Sequence, residues 1–169
     1  MNDSPLRSVA DEQAQDDEVA AATDAIVARL GGGRFAVELS SVAEVGRAPG
    51  ITRVPGLPKF LAGVANWRGR ILPVLDIRGL LGADTDPLDE RARLLVLAEG
   101  TIVVGLLVDA VEGTTMLGDD VAAFPPVSAP NGSGLLSGQV PRDDGPIAVL
   151  DVAAVLRLRE SLPRGRRTA

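Results

Sequence analysis

The chain has 169 residues, of which 46% are hydrophobic and 24% charged, and it contains no cysteine and no histidine. This balance predicts one soluble globular domain with a core of ordinary size. The missing cysteine excludes disulfides, thiolate nucleophiles and iron–sulfur clusters, and the missing histidine removes the commonest general base and metal ligand. Most enzyme classes are therefore disfavoured, and we expect no catalytic residue, no metal and no cofactor.

The net charge of −6 is concentrated at the N-terminus, where residues 1–24 hold seven acidic side chains against one arginine. The rest of the chain is electrically neutral, and its aromatic residues are limited to three Phe and one Trp. A neutral body with few rings disfavours nucleic-acid binding and attraction to anionic membranes. The chain also lacks a signal-peptide pattern and a bilayer-length apolar run, so we expect a cytoplasmic protein without direct membrane insertion.

The first predicted elements are an acidic tail and a β-hairpin. Residues 1–24 show little hydrophobic periodicity and are predicted to be disordered. Residues 26–30 and 34–39 are two apolar strand patterns separated by Gly31, Gly32 and Gly33. Glycines supply the positive φ angles that a tight hairpin turn requires. A phosphate-binding loop is disfavoured, because such loops lead from a strand into a helix.

Short apolar runs continue along the chain, divided by Gly, Pro, Asp or Asn as in all-β folds. We predict a flexible tail at 161–169. Asp76 and Asp151 each precede a predicted helical turn, where a carboxylate can cap the free amides; a catalytic carboxylate pair is the alternative. The predicted strands cover 51–54, 63–66, 70–75, 93–98, 101–108 and 147–150, and the predicted helical turns cover 77–81 and 152–158.

An internal repeat organises this pattern. The segments 71–77 and 146–152 share an apolar strand that runs into Asp76 or Asp151, and the same offset of 75 relates Leu61 to Leu136 and Gly63 to Gly138. Residues 35–44 resemble 103–112 at an offset of 68. The difference between the offsets predicts extra loop in the second half, at 124–134. We infer two related β units that are interleaved within one domain.

One turn favours binding rather than ordinary packing. Asn66 and Gly69 bracket a turn that places Trp67 and Arg68 at its tip, and Pro73 interrupts the following strand. A guanidinium held on a rigid turn can bind a carboxylate with two hydrogen bonds. A solvated surface arginine is the alternative.

The segment 60–76, FLAGVANWRGRILPVLD, closely resembles the signature of the CheW family of bacterial chemotaxis coupling proteins. Agreement extends to 42–45, 51–55 and 105–109, and the resemblance covers about residues 25–158. It implies an all-β fold in which two SH3-like, five-stranded β-barrels pack as one compact CheW-like domain, 25–160, with short helical turns. It also implies a non-catalytic scaffold that links the cytoplasmic tip of methyl-accepting chemoreceptors to the regulatory domain of the CheA histidine kinase.

The resemblance also implies a receptor-binding surface, and the internal repeat offers a separate rim for the kinase. The receptor is expected in a groove between the barrels, supported by Arg68, which is expected to pair with Glu44. The kinase is expected at outward apolar residues on a barrel rim. The predicted receptor-binding residues are Leu39, Val42, Glu44, Val45, Arg68 and Val108. The predicted kinase-binding residues are Leu94, Val96, Ile102 and Val104.

Two other functions are weighed against this one. The first is a CheW-like adaptor of a chemosensory pathway unrelated to swimming. The second is a small β-barrel enzyme that uses carboxylates such as Asp76. An enzyme requires a concave polar pocket with convergent acids, and we expect none.

Overall fold

The computed structural model describes residues 21–123 and 134–162. The tail predictions for 1–20 and 163–169 and nearly all of the inserted loop lie outside these residues, whereas Thr23 and Asp24 already belong to the first strand. The strands are β1 Thr23–Leu30, β2 Gly33–Glu38, β3 Val42–Arg47, β4 Leu61–Trp67, β5 Arg70–Leu75, β6 Arg93–Glu99, β7 Ile102–Val108, β8 Ala110–Leu117, β9 Ala122–Ala123, β10 Leu136–Val140 and β11 Ile147–Leu150. The one α-helix in the described residues, α1, is Val152–Arg157, and 3₁₀ turns cover Leu39–Ser41, Gly79–Leu81 and Leu158–Ser161.

The strands form two sheets, which confirms the all-β fold with short helical turns. One sheet has the order β8-β1-β2-β11-β10-β9 and the other the order β3-β6-β7-β5-β4. Each sheet contains an antiparallel hairpin that is joined to a parallel neighbour, β2 with β11 and β7 with β5. The predicted β1–β2 hairpin is present, and its turn residues Gly31 and Gly32 have φ angles of 56° and 86°.

The chain passes between the sheets twice. After the β1–β2 hairpin of the six-stranded sheet, β3 pairs with β6 in the five-stranded sheet. After the β6–β7 hairpin of the five-stranded sheet, β8 pairs with β1 in the six-stranded sheet. The edge strand β3 of the five-stranded sheet therefore directly follows the hairpin of the six-stranded sheet. The edge strand β8 of the six-stranded sheet directly follows the hairpin of the five-stranded sheet.

The register shows how the repeat is built. Leu61 pairs with Leu75 and Leu136 pairs with Leu150, and a bulge follows each pair, so the offset of 75 is correct. In the hairpins, however, Ala25 pairs with Glu38, and Leu94 pairs with Leu107. The first residues of these two pairs are 69 positions apart in the sequence, and so are the second residues. The offset of 68 is therefore wrong by one residue. In a strand, that slip assigns every side chain to the opposite face.

The interior contains three apolar clusters. The largest lies where residues from both sheets meet α1, and each of the others lies within a single sheet. The strand β6 contributes side chains to two clusters, because successive side chains point to opposite faces of the sheet. Leu95 and Leu97 belong to the largest cluster. Leu94 and Val96 belong to the cluster of the five-stranded sheet. Strands buried on both faces give the nearly continuous apolar runs of the sequence.

Several local predictions were wrong. The strand at 51–54 is reduced to a single bridge between Thr52 and Val64, and β3, β8, β9 and β10 were not predicted. Asp151 does cap α1, accepting a hydrogen bond from the Ala154 amide at 3.1 Å. Asp76 accepts a hydrogen bond from the Arg78 backbone amide at 3.2 Å, as the capping prediction requires, although the 3₁₀ turn Gly79–Leu81 begins later and has Arg78 as its N-cap residue. Among the described residues, no helix is long and apolar enough to cross a membrane.

Candidate functional site

Glu44 joins the two edges of the five-stranded sheet. It lies on the edge strand β3, whereas Trp67 and Arg68 lie where the opposite edge strand, β4, turns into β5. Its Oε2 accepts a hydrogen bond from the Trp67 indole Nε1 at 2.8 Å and another from the Arg68 Nε at 2.9 Å. The sheet therefore curls until its edges meet at one carboxylate. We call Glu44, Trp67 and Arg68 the clasp.

The turn that carries the clasp is held in a fixed shape. The Asn66 Oδ1 accepts a hydrogen bond from the Gly69 amide at 2.9 Å. Arg68 has a φ of 50°, the only positive φ of a non-glycine residue in the part of the chain that the structure describes. Such a conformation costs about 1–3 kcal/mol and persists where its surroundings enforce it. The guanidinium also lies 5.6 Å from the centre of the Trp67 ring, within the range of a cation–π contact.

The clasp keeps the Glu44 carboxylate charged. The indole hydrogen bond of Trp67, followed by that of Arg68, lowers the pKa of Glu44 below its ordinary value. Both donors bind the same oxygen, and both bonds favour the ionised form. The expected pairing of Arg68 with Glu44 is thus present, and Trp67 adds a donor that the sequence did not reveal.

Not all of the predicted receptor-binding residues reach the surface. Leu39 and Val45 are each 42% exposed, whereas Val108 is fully buried, so its assignment to an open groove was wrong. β7, which carries Val108, lies inside the five-stranded sheet, and the Val108 side chain packs into the largest cluster. Val42 is half-buried and packs against that same cluster. On β3, Glu44 is half-buried and Val45 exposed, as strand alternation requires.

Three of the four residues predicted to form an outward kinase-binding rim are buried instead. Leu94 and Val96 are 3% and 2% exposed inside the five-stranded sheet, and Val104 is fully buried in the largest cluster. Ile102 is half-buried against that cluster. The prediction assumed that alternate side chains on these strands reach solvent. Both faces of the strands are covered, so alternation leads from one cluster to another.

The chain matches one family over most of its length. The model of the CheW-like domain matches residues 24–160. The chain belongs to the CheW-like domain family. It is similar to Protein PilI of Pseudomonas aeruginosa, with 41% identity over 50% of this chain and 48% of that protein, and to Protein FrzA of Myxococcus xanthus, with 39% identity over 50% and 53%. The chain thus spans about half the length of these two relatives.

Two comparisons extend further along the CheW-like domain. Chemotaxis protein CheW of Thermotoga maritima is 30% identical over 72% of this chain and 80% of that protein. The crystal structure of the scaffolding protein TtCheW from Thermoanaerobacter tengcongensis superposes with a TM-score of 0.70 and 25% identity, covering 77% of this chain and 89% of that one. The two-sheet arrangement is therefore shared with a solved member of the family.

The CheW-like domain also contains a concave cleft. Its volume is about 1000 Å³, and its walls come from residues 51–62 and 76–88 together with Leu107. Asp76, Asp84 and Asp86 line this cleft, but no group of three or more acidic side chains among the described residues is close enough together to hold a metal ion. Of the aspartates on its walls, Asp76 has both carboxylate oxygens bound to the Arg78 guanidinium, at 3.0 and 2.8 Å. That pairing gives Asp76 a structural role rather than an acid–base role.

Arg78 was missed by sequence reasoning, and it connects the two sheets. It is only 6% exposed, and its Nη1 donates to the Asp86 carbonyl at 2.8 Å and to the Asp109 carboxylate at 3.4 Å. The other Asp109 oxygen accepts from the Gly31 amide, in the β1–β2 turn, at 2.6 Å. The bond to Asp76 raises the pKa of Arg78. The only signal in the sequence is the spacing of Asp76 and Arg78 at the end of a buried strand.

Proposed function

We propose that this protein is a non-catalytic coupling scaffold that links the cytoplasmic tip of methyl-accepting chemoreceptors to the CheA histidine kinase in signalling arrays. The match of the CheW-like domain over residues 24–160, together with the likeness to a solved scaffolding protein, carries the proposal. A scaffold needs apolar surfaces and fixed charges rather than titrating side chains, which suits a chain without histidine or cysteine.

The proposed receptor surface is the clasp together with Leu39 and Val45. Leu39 and Val45 provide exposed aliphatic area next to and on β3. The Arg68 side chain is 71% exposed, although its Nε is fixed on Glu44. Among the described residues, only that nitrogen of Arg68 has a hydrogen-bond partner. Its Nη groups are therefore available to a carboxylate of the receptor in a fixed orientation.

The kinase requires a second surface, because a coupler with a single site would make its partners compete. The two-sheet architecture supports this arrangement, since each sheet has its own edges. The kinase surface does not include Leu94, Val96 or Val104, which are buried. We place it outside the clasp and leave its residues unassigned.

Paired binding titrations test the two-surface proposal. Arg68→Glu replaces a forked donor with a like charge facing Glu44, and a charge-assisted hydrogen bond contributes about 1.5–3 kcal/mol. We expect affinity for a receptor-tip fragment to fall roughly tenfold or more, and affinity for the kinase regulatory domain to stay unchanged. Arg157→Glu, at another exposed arginine, is the matched control. Wild-type receptor affinity in Arg68→Glu would contradict the proposal, and parallel loss of both partners would indicate a single shared site.

A second candidate is an adaptor of a chemosensory pathway that does not control swimming. Two of the similar proteins, PilI and FrzA, are not named CheW, and this favours keeping that candidate. Both candidates assign the protein the same scaffold role. Deleting the gene separates them, because cells that lose swimming behaviour in soft agar support the first candidate and cells that retain it support the second.

A further inference from the structure

A small basic and apolar groove lies beside the clasp. It has a volume of about 140 Å³ and is lined by the end of β4, the first residues of β5, the start of β7 and the 3₁₀ turn Leu158–Ser161. Ile71, on its wall, is 73% exposed and is the most exposed of the large hydrophobic residues that the structure describes. The residues that line the groove are Trp67, Arg70, Ile71, Leu72, Pro73, Thr101, Val103 and Arg159.

Ile71 points outward for a structural reason. Its neighbour Leu72 is buried in the cluster of the five-stranded sheet, so alternation along β5 sends Ile71 to the other face. Trp67 and Val103 pack partly against that cluster, on the Leu72 face, and line the same groove as Ile71. We call these three residues the apolar floor of the groove. Ile71 is the exposed member of this floor, since Trp67 and Val103 are half-buried.

Two free cations border this apolar floor. Arg70 and Arg159 both line the groove, and within 21–123 and 134–162 neither side chain forms a salt bridge. Three further arginines follow Arg159 closely in the sequence, at 164, 166 and 167. The groove is therefore complementary to an occupant that combines apolar and acidic side chains.

The chain itself contains such a segment. Residues 1–20, which precede the described part, carry six acidic side chains and one arginine, together with apolar residues such as Leu6, Val9 and Val19. Twenty extended residues reach roughly 65 Å, and a folded domain of this size has a radius of gyration of about 14 Å. The segment is thus long enough to reach the groove from the start of β1.

We propose that the acidic segment 1–20 docks in the groove around Ile71 and covers it within the same molecule. Its carboxylates pair with Arg70 and Arg159, and an apolar side chain contacts Ile71. Because Trp67 belongs both to the groove and to the clasp, docking places the segment next to the proposed receptor surface. This inference goes beyond the coupling function, and it is tested without either partner.

Paramagnetic relaxation in the full chain tests the docking. Because the chain has no cysteine, Ser8→Cys introduces a single attachment site for a nitroxide label. We expect the amide signals of Ile71, Thr101 and Val103 to lose intensity in the labelled protein. The loss should persist when unlabelled, NMR-silent protein is added in excess to the labelled one. It should vanish in 1 M salt, where the Debye length is about 3 Å.

Charge reversal provides the matched comparison. Arg70→Glu combined with Arg159→Glu should restore the signals, whereas Arg47→Glu combined with Arg53→Glu, at two other exposed arginines, should leave the intensity loss unchanged. Loss confined to residues next to β1, or centred on the arginines at 164–167, would overturn the proposal. Loss that disappears on dilution with unlabelled chain would assign the groove to a second copy and would also overturn it.

Discussion

Glu44 illustrates how much depends on a single oxygen atom. A carboxylate on an edge strand meets an indole and a guanidinium from the opposite edge, at 2.8 and 2.9 Å. The same atom closes the sheet and fixes the orientation of Arg68, so structure and proposed recognition share one set of bonds. Leu39 and Val45 contribute exposed area but form no such bonds. We therefore assign specificity to the charged pair rather than to the aliphatic residues.

The pKa of Glu44 predicts an acid transition at the clasp. That pKa is held below its ordinary value of 4.5, so the folded state keeps the carboxylate charged where the unfolded chain binds a proton. The resulting stabilisation is complete above about pH 4.5 and is lost as the pH falls through the lower folded-state pKa. Fluorescence of Trp67, the only tryptophan, should therefore change with a midpoint below 4.5.

Glu44→Gln is the control for this acid transition. The amide still accepts a hydrogen bond from the indole but cannot titrate, so the fluorescence should stay flat over the same pH range. A wild-type midpoint at or above 4.5 would show that Trp67 and Arg68 do not favour the charged carboxylate.

Arg78 predicts a large loss of stability. Its guanidinium is buried and bound to Asp76 by two hydrogen bonds, so Arg78→Ala leaves that carboxylate without its partner. Breaking such a pair costs about 3–5 kcal/mol in the free energy of unfolding, measured by urea denaturation. Arg91→Ala breaks an exposed pair with Asp89 and should cost less than about 1 kcal/mol. Equal losses in the two variants would show that the Arg78 network does not stabilise the fold.

At the scale of elements, the matched glycines have a common cause. Gly63 follows the bulge in β4, and Gly138 occupies the equivalent place in β10. Beside them run Thr52, which bridges to Val64, and Ala122, which pairs with Gln139. A Cβ on Gly138 would lie 2.6 Å from the Ala122 carbonyl oxygen, and a Cβ on Gly63 would overlap the Thr52 carbonyl. Close backbone approach, rather than turn formation, explains this part of the repeat.

Gly63→Ala tests that explanation against Gly69→Ala. Both glycines have positive φ angles, 147° and 77°, but only at Gly63 would the new Cβ meet backbone. Alanine at Gly69 should cost about 1 kcal/mol for its backbone conformation alone. Alanine at Gly63 should cost at least about 2 kcal/mol more in urea unfolding, because the Thr52 segment must move. Similar losses at the two positions would show that the close approach has no energetic consequence.

The sequence was informative where its pattern was local. The β1–β2 hairpin, β5, β11 and the Asp151 cap follow from turn glycines, apolar runs and capping chemistry over a few residues. β3 and β8 were missed because they are edge strands whose exposed positions dilute the apolar signal. The burial of Leu94, Val96 and Val104 could not be read from alternation, since the number of covered faces depends on how distant strands assemble.

The candidate site shows the same limit. The turn at Asn66–Gly69 and the pairing of Arg68 with Glu44 were expected from the motif and the family resemblance. The indole bond of Trp67 and the Arg78 network depend on long-range geometry: Trp67 contacts a residue 23 positions away and Arg78 one 31 positions away. No local pattern encodes such pairs, which form only after the sheet curls and the sheets pack.

At the scale of the whole molecule, the two crossings of the chain predict cooperative unfolding. β3 follows the hairpin of one sheet but is an edge strand of the other, and the same holds for β8. The largest apolar cluster contains residues from both sheets. Each sheet is therefore completed by an edge strand that directly follows the hairpin of the other sheet. We therefore expect a single two-state transition in urea, with the fluorescence of Trp67 in the five-stranded sheet coinciding with the far-ultraviolet circular dichroism of both sheets.

Ile147→Val distinguishes coupled from independent unfolding of the two sheets. Ile147 is 2% exposed and lies in the cluster that belongs only to the six-stranded sheet. Deleting one buried methylene there costs about 1 kcal/mol. If the sheets unfold together, the Trp67 transition in the other sheet shifts to lower urea by the same amount as the circular dichroism. The slopes of both transitions should match those of the wild type, because the area exposed on unfolding is unchanged. A shift in circular dichroism without a shift in fluorescence would show that the sheets unfold independently and that the crossings do not couple them.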